Sequence, residues 1–277
     1  MIFAVDDPED PRVADYVRLT DPDLRRLREQ GPPGAGGFFI AEGALVIRTL
    51  LTASPFASSV RSVLVTPVRL AALADALASS LHEDVPVFVA DQAVVNEVSG
   101  FPLHRGALAS VDRPALPSLE ELSSGASLVV MTEGVNDHEN VGALFRNCAA
   151  FGVGGVVLDP TSCDPLYRRS VRVSMGHVLR VPFTVLSGSA VEGVAALQAL
   201  GFEVLALTPS VDAVDIRSVG GGDGRRALVV GAEGPGLSAG VRSACDRQVR
   251  IPMAAGVDSL NVSTAAAIAL HELTTSR

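Results

Sequence analysis

The side chains able to do chemistry fall in three short segments of the C-terminal half. Asn140-Val141-Gly142-Ala143-Leu144-Phe145-Arg146 sets an amide and a guanidinium six residues apart, less than two helical turns. Gly231-Ala232-Glu233-Gly234-Pro235-Gly236-Leu237 holds a carboxylate among glycines, just after the apolar run Ala227 to Val230. Ile251-Pro252-Met253 runs on to Ser259-Leu260-Asn261-Val262-Ser263. Each segment puts polar or glycine residues where an apolar strand gives way to a loop or helix, the place where an open α/β sheet builds a ligand site. Asn140 is expected to cap the helix that follows it, and Ser259 or Asn261 to cap the Ala-rich helix after residue 261. The glycine loop lacks the GxGxxG spacing, with an acid about 20 positions on, that marks dinucleotide binding.

Other chemistries find little support. The 5 histidines form no HExxH pair, and Cys148, Cys163 and Cys245 form no CxxC. No metal site is expected, and the cysteines read as reduced, semi-buried residues. The formal net charge of -9 argues against bulk affinity for nucleic acid, but it leaves room for a local basic face. All 22 basic residues are arginine. Guanidinium forks grip phosphate and stack on bases, although GC-rich coding gives the same usage. Two clusters stand out, Arg25, Arg26 and Arg28, and Arg168, Arg169, Arg172 and Arg180; each reads as a solvated helix face or as a contact surface. The acidic start, Asp6 to Asp10, has the wrong charge for a signal peptide, and no apolar run is long enough to span a membrane. A cytoplasmic protein is expected.

The elements that must position these residues are those of an α/β protein. Residues 1 to about 20 are acidic and read as a loose lead-in. A helix is expected over Asp21–Glu29, then a glycine-rich break at 31–37. Strands at Phe38–Ile40, Val63–Thr66 and Val85–Val89 alternate with helices opening at Ala41, over Leu70–Leu81 and over Asp91–Val98. This αβαβαβα order implies a small α/β sandwich at residues 1–112. The Pro- and Ser-rich stretch 113–126 reads as a linker. In 127–277, strands at Leu128–Met131, Gly155–Leu158, Val204–Leu207, Ala227–Val230 and Val249–Ile251 alternate with helices at Val141–Phe151, Leu166–Ser174, Val191–Leu200, Ala239–Ala244 and Val262–Leu273. Val and Leu runs without polar alternation suit parallel strands buried on both faces. Gly220–Gly224 reads as a surface loop.

Taken in order, the three segments closely resemble the motifs of the SpoU family of RNA ribose 2′-O-methyltransferases, in the SPOUT superfamily. The resemblance implies a deep trefoil knot in the C-terminal domain and S-adenosylmethionine as cofactor. It places Arg146 at the centre of catalysis, with Asn140, Glu233, Ser259 and Asn261 positioning Arg146, the ribose or the cofactor. The cofactor-binding loops would be near Leu207, Thr208, Val230, Gly231, Gly236, Ile251, Pro252, Met253, Leu260 and Val262. The segment Pro165 to Gly176 also matches, implying RNA contacts by Arg168, Arg169, Arg172 and Ser174. Phe39-Ile40-Ala41-Glu42-Gly43 and His104-Arg105-Gly106 resemble pieces of an L30e-like substrate-binding domain. The expected partners are structured RNA, ribosomal rather than transfer RNA, and a second copy in a homodimer through the knot domain. A tRNA 2′-O-methyltransferase and a non-catalytic RNA-binding protein on the same fold are the alternatives.

Overall fold

A computed structural model of the chain describes residues 1–22, 26, 37–104, 106–219 and 224–275. The helix expected over Asp21–Glu29, the glycine break after it, Arg105 and the Gly220–Gly224 loop fall largely outside these residues. The chain divides into two compact units, Met1–Ala115 with Leu166–Arg180, and Leu116–Pro165 with Val181–Arg277.

The first unit carries a five-stranded mixed sheet built from β1 (Ile2–Ala4), β2 (Phe38–Glu42), β3 (Val60–Val65), β4 (Val87–Val89) and β5 (Ala107–Asp112), in the order β1-β4-β3-β5-β2. β1, β4 and β3 are parallel, and β5 runs antiparallel to both of its neighbours. Helices α1 (Ala44–Ala53), α2 (Pro67–Ser80) and α3 (Gln92–Ser99) accompany it. Two parts depart from expectation. The acidic lead-in is ordered: β1 forms one edge of the sheet, and a 3-10 turn over Pro11–Tyr16 buries Val13 and Tyr16 completely. The Tyr16 hydroxyl shares a hydrogen bond with Ser62 Oγ at 2.8 Å and accepts one from Ser110 N at 3.2 Å. Burying a phenol needs such partners, and they tie the lead-in to the sheet. β5 is also new, so the sheet is mixed where a simple alternation of helix and strand was expected.

The second unit is a seven-stranded, wholly parallel sheet. It contains β6 (Leu128–Glu133), β7 (Gly155–Leu158), β8 (Phe183–Val185), β9 (Glu203–Leu207), β10 (Val214–Asp215), β11 (Arg226–Gly231) and β12 (Arg247–Arg250), ordered β10-β12-β9-β11-β6-β7-β8. Its helices are α4 (Leu119–Ser123), α5 (His138–Ala150), α7 (Ala190–Ala199), α8 (Ala239–Ala244) and α9 (Val262–Thr275), whereas α6 (Arg168–Val173) belongs to the first unit. Val129, Val130, Val157, Leu228 and Val229 are fully buried, as strands covered on both faces require. β8 and β10 were not foreseen. α4 lies in the expected linker and is closed by a capping box in which Ser118 and Glu121 satisfy each other's backbone N–H.

Strand order fixes where a site can form. The chain leaves β6 toward β7 on one side, and leaves β11 for β12 beyond β9 on the other. The loops after β6 and β11 therefore diverge, and the crevice between them is the switch point of the sheet.

Candidate active site

At that switch point three motif residues meet. Asn140 lies in α5, Glu233 in the loop after β11, and Asn261 immediately before α9. The Asn261 Nδ2 group donates to Asn140 Oδ1 at 2.8 Å and to Glu233 Oε1 at 2.6 Å. Its Oδ1 accepts from the backbone N–H of Ser263 at 3.0 Å and of Thr264 at 3.2 Å, and from the Ser263 hydroxyl at 2.6 Å. Asn261 is thus the N-cap of α9. Because the cap donors demand the oxygen, the amide's NH2 is left facing the other two motifs. One neutral side chain joins all three segments.

Asn140 does not cap its helix, contrary to the sequence reading. Asp137 does, accepting from Glu139 N at 2.7 Å and Asn140 N at 3.1 Å. A carboxylate at the positive end of the helix outcompetes an amide, and Asn140 is released one turn inside with its side chain aimed at Asn261. Asp137-His138-Glu139, an acid with a second acid in the first turn, was the sequence signal for this start. α5 and α9 are further joined by Asn147, whose Nδ2 donates to Ser263 O at 2.8 Å, and by the edge contact of Phe151 and His271 with ring centres 6.0 Å apart.

The Arg146 side chain is exposed on α5 and makes no hydrogen bond or ion pair with the described residues. Ser259 is exposed in the loop before α9 and stands outside the hydrogen-bonded group. Sequence reasoning missed Glu133, at the end of β6, whose Oε2 accepts from Ser238 N at 2.8 Å and so ties the first motif's strand to the turn after the second.

The residues expected to hold a cofactor sit along the same sheet edge. Leu207 ends β9, Thr208 N donates to Val249 O at 2.9 Å, and Val230 and Gly231 end β11. A Cβ on Gly231 would lie 2.4 Å from Gly236 C and Leu237 N, so only glycine lets the loop fold back on its own strand. Gly236 N donates to Ala232 O at 3.0 Å, and Gly234 and Gly236 have φ of 86° and 67°, left-handed values that glycine adopts without strain. Ile251 and Met253 are half-buried, Pro252 and Leu260 exposed, and Val262 buried. Apolar surface beside backbone polar groups at strand ends suits a nucleoside-bearing ligand. Burial pushes the thiols of Cys163 and Cys245 up to about 12, with neighbouring carboxylates adding to the effect, so neither is a thiolate nucleophile. No cluster of potential metal ligands occurs among the described residues.

In the first unit, Glu42 is 3% exposed and faces two of the expected RNA-contacting arginines. Arg168 Nη1 donates to Glu42 Oε2, and its guanidinium stacks 4.7 Å from the centre of the Phe101 ring. Arg172 Nη1 reaches Glu42 Oε1 at 3.5 Å. Their side chains are 17% and 38% exposed. Arg169 is exposed. Ser174 is fully buried: its hydroxyl donates to Val171 O at 2.9 Å and accepts from Val178 N at 3.3 Å. It closes the end of α6 and has no surface to offer RNA.

Residues 127–271 match the SpoU rRNA methylase family. The chain belongs to this family. It is 43% identical over 272 residues to an uncharacterised tRNA/rRNA methyltransferase of Mycobacterium tuberculosis, covering 98% of this chain and 91% of that one. It is 33% identical over 196 residues to the 23S rRNA (adenosine(1067)-2′-O)-methyltransferase of Streptomyces azureus, covering 69% and 70%. The fold is shared with an AdoMet-bound rRNA methyltransferase from Sinorhizobium meliloti, at TM-score 0.75 and 23% identity over 98% of this chain and 97% of that one. As a SpoU protein it is an RNA 2′-O-methyltransferase, and S-adenosylmethionine is its methyl donor. No helix among the described residues is long and apolar enough to cross a membrane.

Proposed function

We propose that the chain methylates a ribose 2′-hydroxyl in structured ribosomal RNA, with 23S rRNA as substrate. The observation that carries the reading is the Asn140–Asn261–Glu233 group at the switch point, which joins the three motifs through one amide. S-adenosylmethionine, when bound, supplies the activated methyl group. It would be held by the backbone groups and apolar side chains around Leu207, Thr208, Val230, Gly231, Gly236, Ile251, Pro252, Met253, Leu260 and Val262. The protein's own task is to align the ribose oxygen, exclude water and draw off the hydroxyl proton. Arg146, exposed and uncommitted, orients the hydroxyl and the adjacent phosphate. A guanidinium stays protonated in ordinary surroundings, so Arg146 acts first as a positive clamp. Asn140, Glu233 and Asn261 fix the helix and loop that present it, and Ser259 completes the wall on the loop before α9.

RNA approaches the first unit, which serves as an L30e-like substrate-binding domain through Arg172 and Arg169. Arg168 is held by Glu42 and Phe101 and sets the surface from beneath. The second unit carries the family's trefoil knot and pairs with a second copy, in keeping with the exposure of Val257 at 50% and of Leu260 and Ile268 at 36%. Transfer RNA is the second reading, favoured by the tRNA/rRNA methyltransferase of M. tuberculosis.

The test is transfer of labelled methyl from S-adenosylmethionine to purified ribosomal and transfer RNA, followed by nucleoside analysis. The expected result is label in a 2′-O-methyl nucleoside of 23S rRNA, reduced by about 1,000-fold in Arg146→Ala, the scale of losing a transition-state donor. Label on tRNA alone, or undiminished label in the variant, overturns the substrate or the role of Arg146 respectively.

A further inference from the structure

The buried acid Asp159 belongs to none of the three motifs, yet it organises the loop that leads into the first. It follows β7 directly and is 3% exposed. Its Oδ1 accepts from Gly134 N at 2.9 Å and from Ser162 Oγ at 2.5 Å. Its Oδ2 accepts from Thr161 N at 3.1 Å and from the Thr161 hydroxyl. Ser162 Oγ also accepts from Val135 N at 3.1 Å and shares a hydrogen bond with Thr132 Oγ1 at 2.8 Å. Cys163 N then donates to Val135 O at 3.0 Å. The loops after β6 and β7 are therefore zipped together across Thr132, Gly134 and Val135.

Two residues beyond Val135, Asp137 caps α5, the helix of Asn140 and Arg146. Any freedom at 134–135 passes into the start of that helix. A buried carboxylate that accepts four hydrogen bonds from these loops resists such freedom.

We infer that Asp159, acting through Ser162 and Thr132, is a positioning residue for methyl transfer: it fixes the entry of α5 and hence the placement of Asn140 and Arg146. The inference rests on the role proposed above for α5. Asp159 is buried and lies outside the three motifs, so it governs the rate of transfer and leaves binding alone.

Thr132→Val removes a hydroxyl and keeps the shape, Thr132→Ser restores it, and Asp159→Asn replaces one acceptor oxygen by an NH2 donor. In single-turnover transfer at saturating RNA and S-adenosylmethionine, Thr132→Val and Asp159→Asn are expected to slow the reaction by about 10- to 100-fold, the cost of a misplacement on the order of 1 Å. Thr132→Ser keeps the wild-type rate, and the dissociation constants for RNA and cofactor stay within about twofold. Amide hydrogen exchange at 134–141 should quicken in Thr132→Val, and this readout does not need activity. A wild-type protein that transfers no methyl to ribose defeats the proposed function, while the exchange measurement still decides the inference. Unchanged rate and unchanged exchange in Thr132→Val overturn it. So does a rate loss that follows weaker binding or global unfolding, or one that Thr132→Ser shares.

Discussion

The two polar groups of this molecule solve opposite problems. Around Glu42 a carboxylate is buried and two arginines are drawn onto it, one tightly and stacked on Phe101, the other loosely at 3.5 Å. Around Asn261 the carboxylate of Glu233 stays exposed, and a neutral amide carries the connections. A buried charge must be matched by charge, because an uncompensated ion in the interior is costly. An exposed site that must accept a ligand is better linked by a group that needs no counter-ion. The first arrangement commits Glu42 and Arg168 to the fold; the second holds three loops in register and leaves Arg146 free.

Glu42→Ala tests the commitment most severely. It strands Arg168 with little exposure, and a loss of about 3 kcal/mol is expected, read by denaturant unfolding. Should it cost no more than an exposed substitution, the contrast between the two groups collapses. Asn261→Ala is next. It removes the cap of α9, worth about 1 kcal/mol, and unlinks Asn140 from Glu233, so methyl transfer should fall by more than stability alone explains. Asn261→Asp sharpens the point: it caps as well but sets a carboxylate against Glu233, so stability should hold while transfer falls. Arg172→Ala should weaken RNA binding evenly across sequences and reduce the slope of log affinity against log salt by about 1, with unfolding nearly unchanged. The same slope change in Arg168→Ala without a stability loss would erase the division of labour between them.

The smallest effect concerns pH. Desolvation tends to raise the Asp159 carboxyl, but hydrogen bonds from Ser162, Thr161 and Gly134 outweigh it and hold the group below the ordinary aspartate value. Its contribution to stability is therefore fully present above that value and is lost as pH falls through the lowered native one. The difference in Tm between wild type and Asp159→Asn should be constant near neutrality and shrink only in strong acid. A difference that vanished already at neutral pH would contradict this.

Much of the second unit could be read from the chain. Gly155–Leu158 falls where its apolar run places it, because strands buried on both faces carry no polar interruptions. The meeting of Asn140, Glu233 and Asn261 was implied by family likeness, and the structure supplies the amide that joins them. Other parts left weak traces. β5 is Ala107-Leu108-Ala109-Ser110-Val111-Asp112, small residues with little hydrophobic signal, although it sits between β3 and β2. The lead-in hides four buried residues, Val5, Val13, Tyr16 and Leu19, among acids. The partnerships of Glu42 with Arg168 and of Asp159 with Gly134 join distant positions, and no local period announces them.

The return of Leu166–Arg180 to the first unit has a consequence for synthesis. Glu42 leaves the ribosome 126 residues ahead of Arg168. At translation speeds of about 5–20 residues per second, its carboxylate waits roughly 6–25 s for its counter-ion. The N-terminal sheet emerges early but cannot close its charge until the first segment of the following unit, Leu116–Pro165, has been made. Its maturation is therefore timed by its neighbour, and a nascent chain stalled before Leu166 holds an acid with no guanidinium from α6 to meet it.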